Sequence, residues 1–265
     1  MFDSPAGEPV VLVIEHQLTC PPGWVGDWLT AAGCRLDVRR PYHSSSEAPD
    51  ALPAPDALPG DLAAYAGLVV LGGSMSAWDD ARVPWLAQVK ALVREAAGSG
   101  VPTLGICLGH QLAAAALGGT VAPNPRGKTA GIQTVGWLPA AREDPFVGPL
   151  TSAVTRALQW NNDVVVAPPP ATVALAQSPH GELLAARFAP TVWGVQWHPE
   201  AGVEIVRCWA AKDEQWAREQ GVDLEALLAG LGEAEATLRH TWEPFTARFA
   251  QLCRAALPRV TALGE

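Results

Sequence analysis

The chain has 265 residues, 49% hydrophobic and 17% charged, with a formal net charge of −9. That is the composition of a globular protein with a sizeable core, and the acidic balance argues against nucleic acid, because phosphate backbones select basic surfaces. No apolar run approaches the twenty residues needed to cross a bilayer, Val10 to Ile14 is too short for a signal peptide, and five scattered cysteines without zinc-type pairing suit a reducing cytoplasm.

In chain order, Val10–Ile14 reads as the first strand, residues 23–32 as a helix and 34–38 as a second strand. A Pro- and Ser-rich connection over 41–60 follows, in which Asp50-Ala51-Leu52-Pro53 recurs as Asp56-Ala57-Leu58-Pro59. It reads as a loop with a local duplication, a moving active-site cover being the alternative. Residues 68–71 form the third strand and lead into Gly72-Gly73. Pro84 suits the first turn of a helix running to about Ala97. The apolar run 101–106 is the fourth strand, and an alanine-rich helix over 112–117 follows. Such alternation predicts a mostly parallel sheet flanked by helices, with reactive groups at the carboxyl ends of the strands. Residues 120–189 read as shorter strands and turns, with Pro168-Pro169-Pro170 as a rigid bend. Beyond residue 205, Leu224, Leu227, Leu228 and Leu231, then Leu238, Trp242, Phe245 and Phe249, recur at helical spacing. They predict two or three helices over 207–265, packed on a catalytic domain over 1–206; partner binding by this tail is the alternative.

The chemistry concentrates in Gly105-Ile106-Cys107-Leu108-Gly109-His110-Gln111. A strand, one cysteine between two glycines, and a helix make the layout of a nucleophile elbow. So tight a turn strains the central residue and leaves no room for neighbouring side chains. The helix start points free N–H groups at the sulfur and favours thiolate. A buried structural cysteine at a strand end is the competing reading. A second segment, Gly194-Val195-Gln196-Trp197-His198-Pro199-Glu200, closes the apolar run 191–197. Pro199 keeps His198 extended, at a strand end, and Glu200 is near enough to orient its imidazole. Cysteine, histidine and carboxylate are the three parts of cysteine nucleophilic catalysis.

These two segments together resemble the class I, or triad, glutamine amidotransferases. Leu68-Val69-Val70-Leu71-Gly72-Gly73-Ser74-Met75-Ser76, followed by Asp79-Asp80, resembles the strand and Gly-Gly turn that supply their oxyanion hole. Segments 102–119 and 131–137 are also similar, so the likeness runs from about Val10 to Val206. It is nearest to stand-alone proteins related to the glutaminase domain of GMP synthetase. The resemblance implies a flavodoxin-like fold and hydrolysis of the γ-amide of glutamine through a γ-glutamyl thioester. Cys107 would be the nucleophile, His198 the acid–base group and Glu200 its orienting carboxylate. Backbone N–H groups at Gly73 and Leu108 would hold the oxyanion, and Gly72 and Gln111 would face the substrate. For Gln111 a helix-surface or capping role is the alternative.

One position departs from the pattern. Trp160-Asn161-Asn162-Asp163 stands where relatives often carry Trp-His-x-Asp, and asparagine cannot take up a proton, although it still donates and accepts hydrogen bonds. In the stretch 125–131, Arg126 and Lys128 would either line the substrate carboxylate or form a solvated turn. The chemistry calls for no cofactor and no metal. Its partner is glutamine or a γ-glutamyl small molecule. No P-loop or second large domain is evident, so ammonia would pass to a synthetase or acceptor subunit. Failing that, the chain would be a γ-glutamyl peptide or amine hydrolase, or a non-catalytic binding relative. An α/β-hydrolase esterase shares the elbow, but the order Cys, His, Glu disfavours it.

Overall fold

Aliphatic runs of four or five residues become central strands here because helices cover both of their faces. The computed structural model describes residues 7–42, 56–151 and 155–257. The first half contains β1 (Val10–Ile14), α1 (Gly23–Ala31), β2 (Arg35–Arg39), β3 (Gly67–Val70), α2 (Trp85–Ser99), β4 (Thr103–Ile106) and α3 (Leu108–Ala116). Then come β5 (Thr120–Pro123), β6 (Thr129–Trp137), β7 (Thr155–Asn161), β8 (Asp163–Ala167), β9 (Val173–Gln177), β10 (Leu183–Ala189) and β11 (Val192–Val195). Three helices close the described chain: α4 (Val203–Lys212), α5 (Glu214–Gln220) and α6 (Leu224–Ala256).

Nine strands form one sheet in the order β2-β1-β3-β4-β11-β10-β9-β6-β7. The half from β2 to β11 is parallel throughout, the helix-flanked parallel frame that the alternation predicts and the flavodoxin-like fold that the resemblance implies. From β10 onward the pairing is antiparallel; β9, β10 and β11 follow one another through short turns rather than crossover helices. β5 and β8 make a separate two-stranded ribbon.

Strand pleating divides the core into two layers. Val11, Val13, Val69 and Leu71 face α1 and α6, among Trp28, Leu29, Phe245 and Phe249, whereas Leu12, Ile14, Leu68 and Val70 face α2 and α3. Asp223 caps α6 by accepting from the Ala226 N–H, and the helix then buries Leu228, Leu231, Leu238, Trp242, Phe245 and Phe249. Trp242 packs 4.9 Å from Trp197, and Phe245 4.5 Å from Phe146. Each such ring contributes about 1.5–3 kcal/mol by burial alone, so the terminal helix is welded to the sheet immediately beneath the His-Pro-Glu segment.

Two of the boundaries that differ from the sequence reading bear on the site. α3 begins at Leu108 rather than at residue 112, so no linker separates Cys107 from the helix. β11 ends at Val195, and His198 lies three residues beyond, its N–H donating to Leu158 O at 2.8 Å. The chain there leaves β4 and crosses to β7, which carries His198 over the site. The Asp50 copy of the duplicated segment lies outside the described residues.

Candidate active site

At the carboxyl end of β4 the backbone turns through Cys107 with φ 52° and ψ −103°. No other non-glycine residue among those described has a positive φ. The conformation lies near the strained γ-turn region and costs on the order of 1–3 kcal/mol. Steric closeness explains both flanking glycines: a Cβ on Gly105 would sit 2.4 Å from Gly109 O, and one on Gly109 2.0 Å from Val70 O. Both clashes set a Cβ against a backbone oxygen, the second between α3 and β3, so no rotamer relieves them. Gly109→Ala is therefore expected to cost about 3 kcal/mol or more, a fall of about 6–12 °C in Tm. A variant melting within a degree of the parent would show that the close helix–strand approach does not constrain this position.

His198 comes to the sulfur from above. A Cβ on Gly72 would lie 3.1 Å from His198 Cε1 and 3.7 Å from Cys107 Cβ, so this glycine is the floor on which the two side chains meet. The His198 Nδ1 and Glu200 Oε1 atoms are 2.7 Å apart, with both residues buried. A carboxylate can only accept, so Nδ1 carries the proton. The Trp209 ring, from α4, covers the imidazole at 4.6 Å between centroids. Burial opposes the imidazolium, but the facing Cys107 and Glu200 outweigh it and hold the His198 pKa well above the ordinary histidine value. Burial pushes the Cys20, Cys34 and Cys253 pKa values upward, and for Cys20 the nearby Glu200 and Cys107 push further the same way.

The Gly73 and Leu108 residues lie side by side, since a Cβ on Gly73 would be 2.9 Å from Leu108 Cδ2. Gln111 is buried, neither surface nor cap, and its Nε2 donates to Asp163 O at 2.8 Å and to Gln196 Oε1 at 3.2 Å. Gln196 in turn donates to Cys107 Sγ at 3.6 Å. Asn161 donates to Asp163 O at 3.1 Å, while its buried Oδ1 accepts no hydrogen bond among the described residues.

Cys107, His198, Gly73, Gln111 and Asn161 all border one cavity of about 280 Å³. Lys128 borders it too, with a side chain only 8% exposed, paired with Asp213 and lying 5.0 Å from the Trp216 ring. It is a wall residue, not part of a solvated turn. Arg126 is about half exposed, pairs with Glu182 at 3.9 Å and borders a neighbouring cavity instead. Trp209 and Asp213, from α4 and the α4–α5 corner, complete the wall. No sequence signal pointed to them, because they reach the site through the packing of the terminal helices.

A mostly parallel sheet with helices on both faces, a strained cysteine elbow and a buried His–Glu pair over it define an α/β protein of flavodoxin-like fold. The sequence pattern of the family described as glutamine amidotransferase class-I matches residues 27–205, and the chain belongs to that family. It is 34% identical over 152 residues, 54% of its length, to the glutamine-hydrolyzing GMP synthase of Aeropyrum pernix. It is 28% identical over 147 residues, 55% of its length, to Gamma-glutamyl peptidase 4 of Arabidopsis thaliana. It spans only 27% of the first relative and 58% of the second. Among solved structures, the glutamine amidotransferase of Methylobacillus flagellatus superimposes with a TM-score of 0.75 at 27% identity, over 97% of this chain and 98% of that one.

Proposed function

We propose that the chain hydrolyses the γ-amide of glutamine through a γ-glutamyl thioester on Cys107. One observation carries the reading: a buried Glu200–His198 pair at 2.7 Å, set over a cysteine held at positive φ. The Cys107 sulfur attacks the γ-carbonyl carbon, and backbone N–H groups at Gly73 and Leu108 receive the developing negative charge. One such donor is worth roughly two to three orders of magnitude in rate. His198 gives its proton to the departing ammonia, then takes one from the water that opens the thioester. Glu200 keeps Nδ1 protonated throughout. Gln111 and Gly72 border the glutamyl chain, and Lys128 meets its α-carboxylate. We assign residues 207–265 as a helical extension packed on the catalytic domain of residues 1–206, completing its substrate wall. The reaction belongs in a reducing cytoplasm, which preserves the thiol.

Purified protein given L-glutamine is expected to release glutamate and ammonia in equal amounts, and a glutamine-like electrophile is expected to label Cys107 alone. Failure to turn over any γ-glutamyl amide, with Cys107 unlabelled, would overturn the assignment. A second reading, hydrolysis of γ-glutamyl peptides or amines, is favoured by the likeness to Gamma-glutamyl peptidase 4. Turnover of such conjugates but not of free glutamine decides for it. Turnover of glutamine that rises on adding a synthetase subunit decides for ammonia transfer to a partner.

A further inference from the structure

The wall opposite the elbow carries a carboxylate that the hydrolytic chemistry leaves unused. Asp213 stands at the corner between α4 and α5, outside residues 27–205 that match the family pattern. Its Oδ2 accepts from the Trp160 indole N–H at 2.7 Å and also pairs with Lys128. Two donors on one oxygen fix the side chain in place. Oδ1 accepts no hydrogen bond among the described residues, and Asp213 borders the cavity that contains Cys107. On the same wall, Asn161 Oδ1 is a buried acceptor that likewise has no donor among the described residues. An anchored anionic oxygen and a second free acceptor call for a ligand that brings several N–H donors and a positive charge.

Trp160 shows that this wall is within substrate reach. Its carbonyl oxygen lies 3.9 Å from Cys107 Sγ while its indole nitrogen bonds Asp213. One tryptophan therefore touches both groups, its backbone facing the nucleophile and its indole the carboxylate. Lys128, beside Asp213, has ammonium hydrogens beyond the one given to that pair. The cavity is bordered by two carboxylates, Asp163 and Asp213, and two lysines, Lys128 and Lys212, and of the carboxylates Asp213 is the one held in place by a lysine and an indole N–H.

Resting on the hydrolase reading above, we infer that Asp213 recognises the α-ammonium of the γ-glutamyl substrate, and that Asn161 Oδ1 accepts from the same group. The extension beyond the family core then sets specificity for the α-amino acid end. Substrates with a blocked or missing α-amine are excluded, while the nature of the leaving amine is left to other walls.

The test compares kcat/KM for L-glutamine and for glutaramic acid, which lacks the α-amine but keeps the carboxylate and amide. Wild-type protein is expected to prefer glutamine by about 10- to 100-fold, the range for a hydrogen bond to a charged group. In Asp213→Asn, which keeps shape and the Trp160 bond, the preference is expected to collapse to within about threefold, through loss on glutamine alone. Lys128→Met breaks the same ion pair but leaves the carboxylate, so it is expected to lower both substrates together and preserve the preference. A wild-type preference near one, retention of it in Asp213→Asn, or an equal collapse in Lys128→Met would each overturn the inference. Wild-type protein that hydrolyses neither these amides nor any γ-glutamyl conjugate overturns the hydrolase reading itself, a result that the three others cannot mimic.

Discussion

Cys107→Gly is expected to be inactive and more stable than the parent, while Cys107→Ala is inactive without the gain. Both variants remove the sulfur, and in comparable triads loss of the nucleophile costs about six orders of magnitude in kcat. They differ in what they do to the backbone. Alanine keeps a Cβ at φ 52° and ψ −103°, so the strain of about 1–3 kcal/mol stays in the folded state. Glycine adopts that conformation freely, and the entropy it adds to the unfolded chain returns only about 0.5–1 kcal/mol of the gain. The net difference should be about 1 kcal/mol, or a Tm about 2–4 °C higher for glycine than for alanine. Neighbouring contacts are the same in both, since Gly105 and Gly109 already clear the turn. Parallel thermal melts of the two variants read the strain directly. Equal melting temperatures would mean that the elbow stores none.

The elbow was legible because its causes are local. A strand, two glycines forced by close approach and a helix are consecutive in the chain, and the fold follows from alternating short apolar runs and amphipathic helices. The α3 start at Leu108 was less legible. Gly109 and His110 are weak helix formers, and only the tertiary contact of Gly109 with Val70 shows that the helix has already begun. The strand-end position expected for His198 assumed that the apolar run 191–197 stays in the sheet. Instead the chain leaves β11 after Val195 so that His198 can bond Leu158 on β7. The wall residues were least legible. Trp209 lies on α4 and Asp213 at the α4–α5 corner, in a stretch whose sequence reads as ordinary amphipathic surface, and their place in the wall depends on how that corner packs on Trp160. Lys128 illustrates the same limit: in the sequence it was one of two charges in a turn, and burial against Trp160 and Trp216 separates it from Arg126.

Glu200→Gln should cut kcat by about two to four orders of magnitude, the upper end being the effect of the corresponding change in a serine triad. The substitution keeps size but replaces an acceptor-only group by an amide that can turn its NH₂ toward Nδ1 and force the wrong tautomer. A second consequence follows for pH. In the parent, Cys107 and Glu200 overcome burial and raise the His198 pKa. Such a group contributes stability that is complete below the unfolded value of about 6.5 and is lost as pH rises through the folded value. Without the carboxylate the balance moves toward burial, which lowers the pKa of a histidine. The alkaline limb of the pH–rate profile should then shift to lower pH. The fall in Tm from near-neutral to alkaline pH should also shrink. Tm and kcat measured together between pH 6 and 9 test both effects. An alkaline limb unmoved in Glu200→Gln would show that Cys107 alone sustains the imidazolium, and that Glu200 serves only to aim the ring.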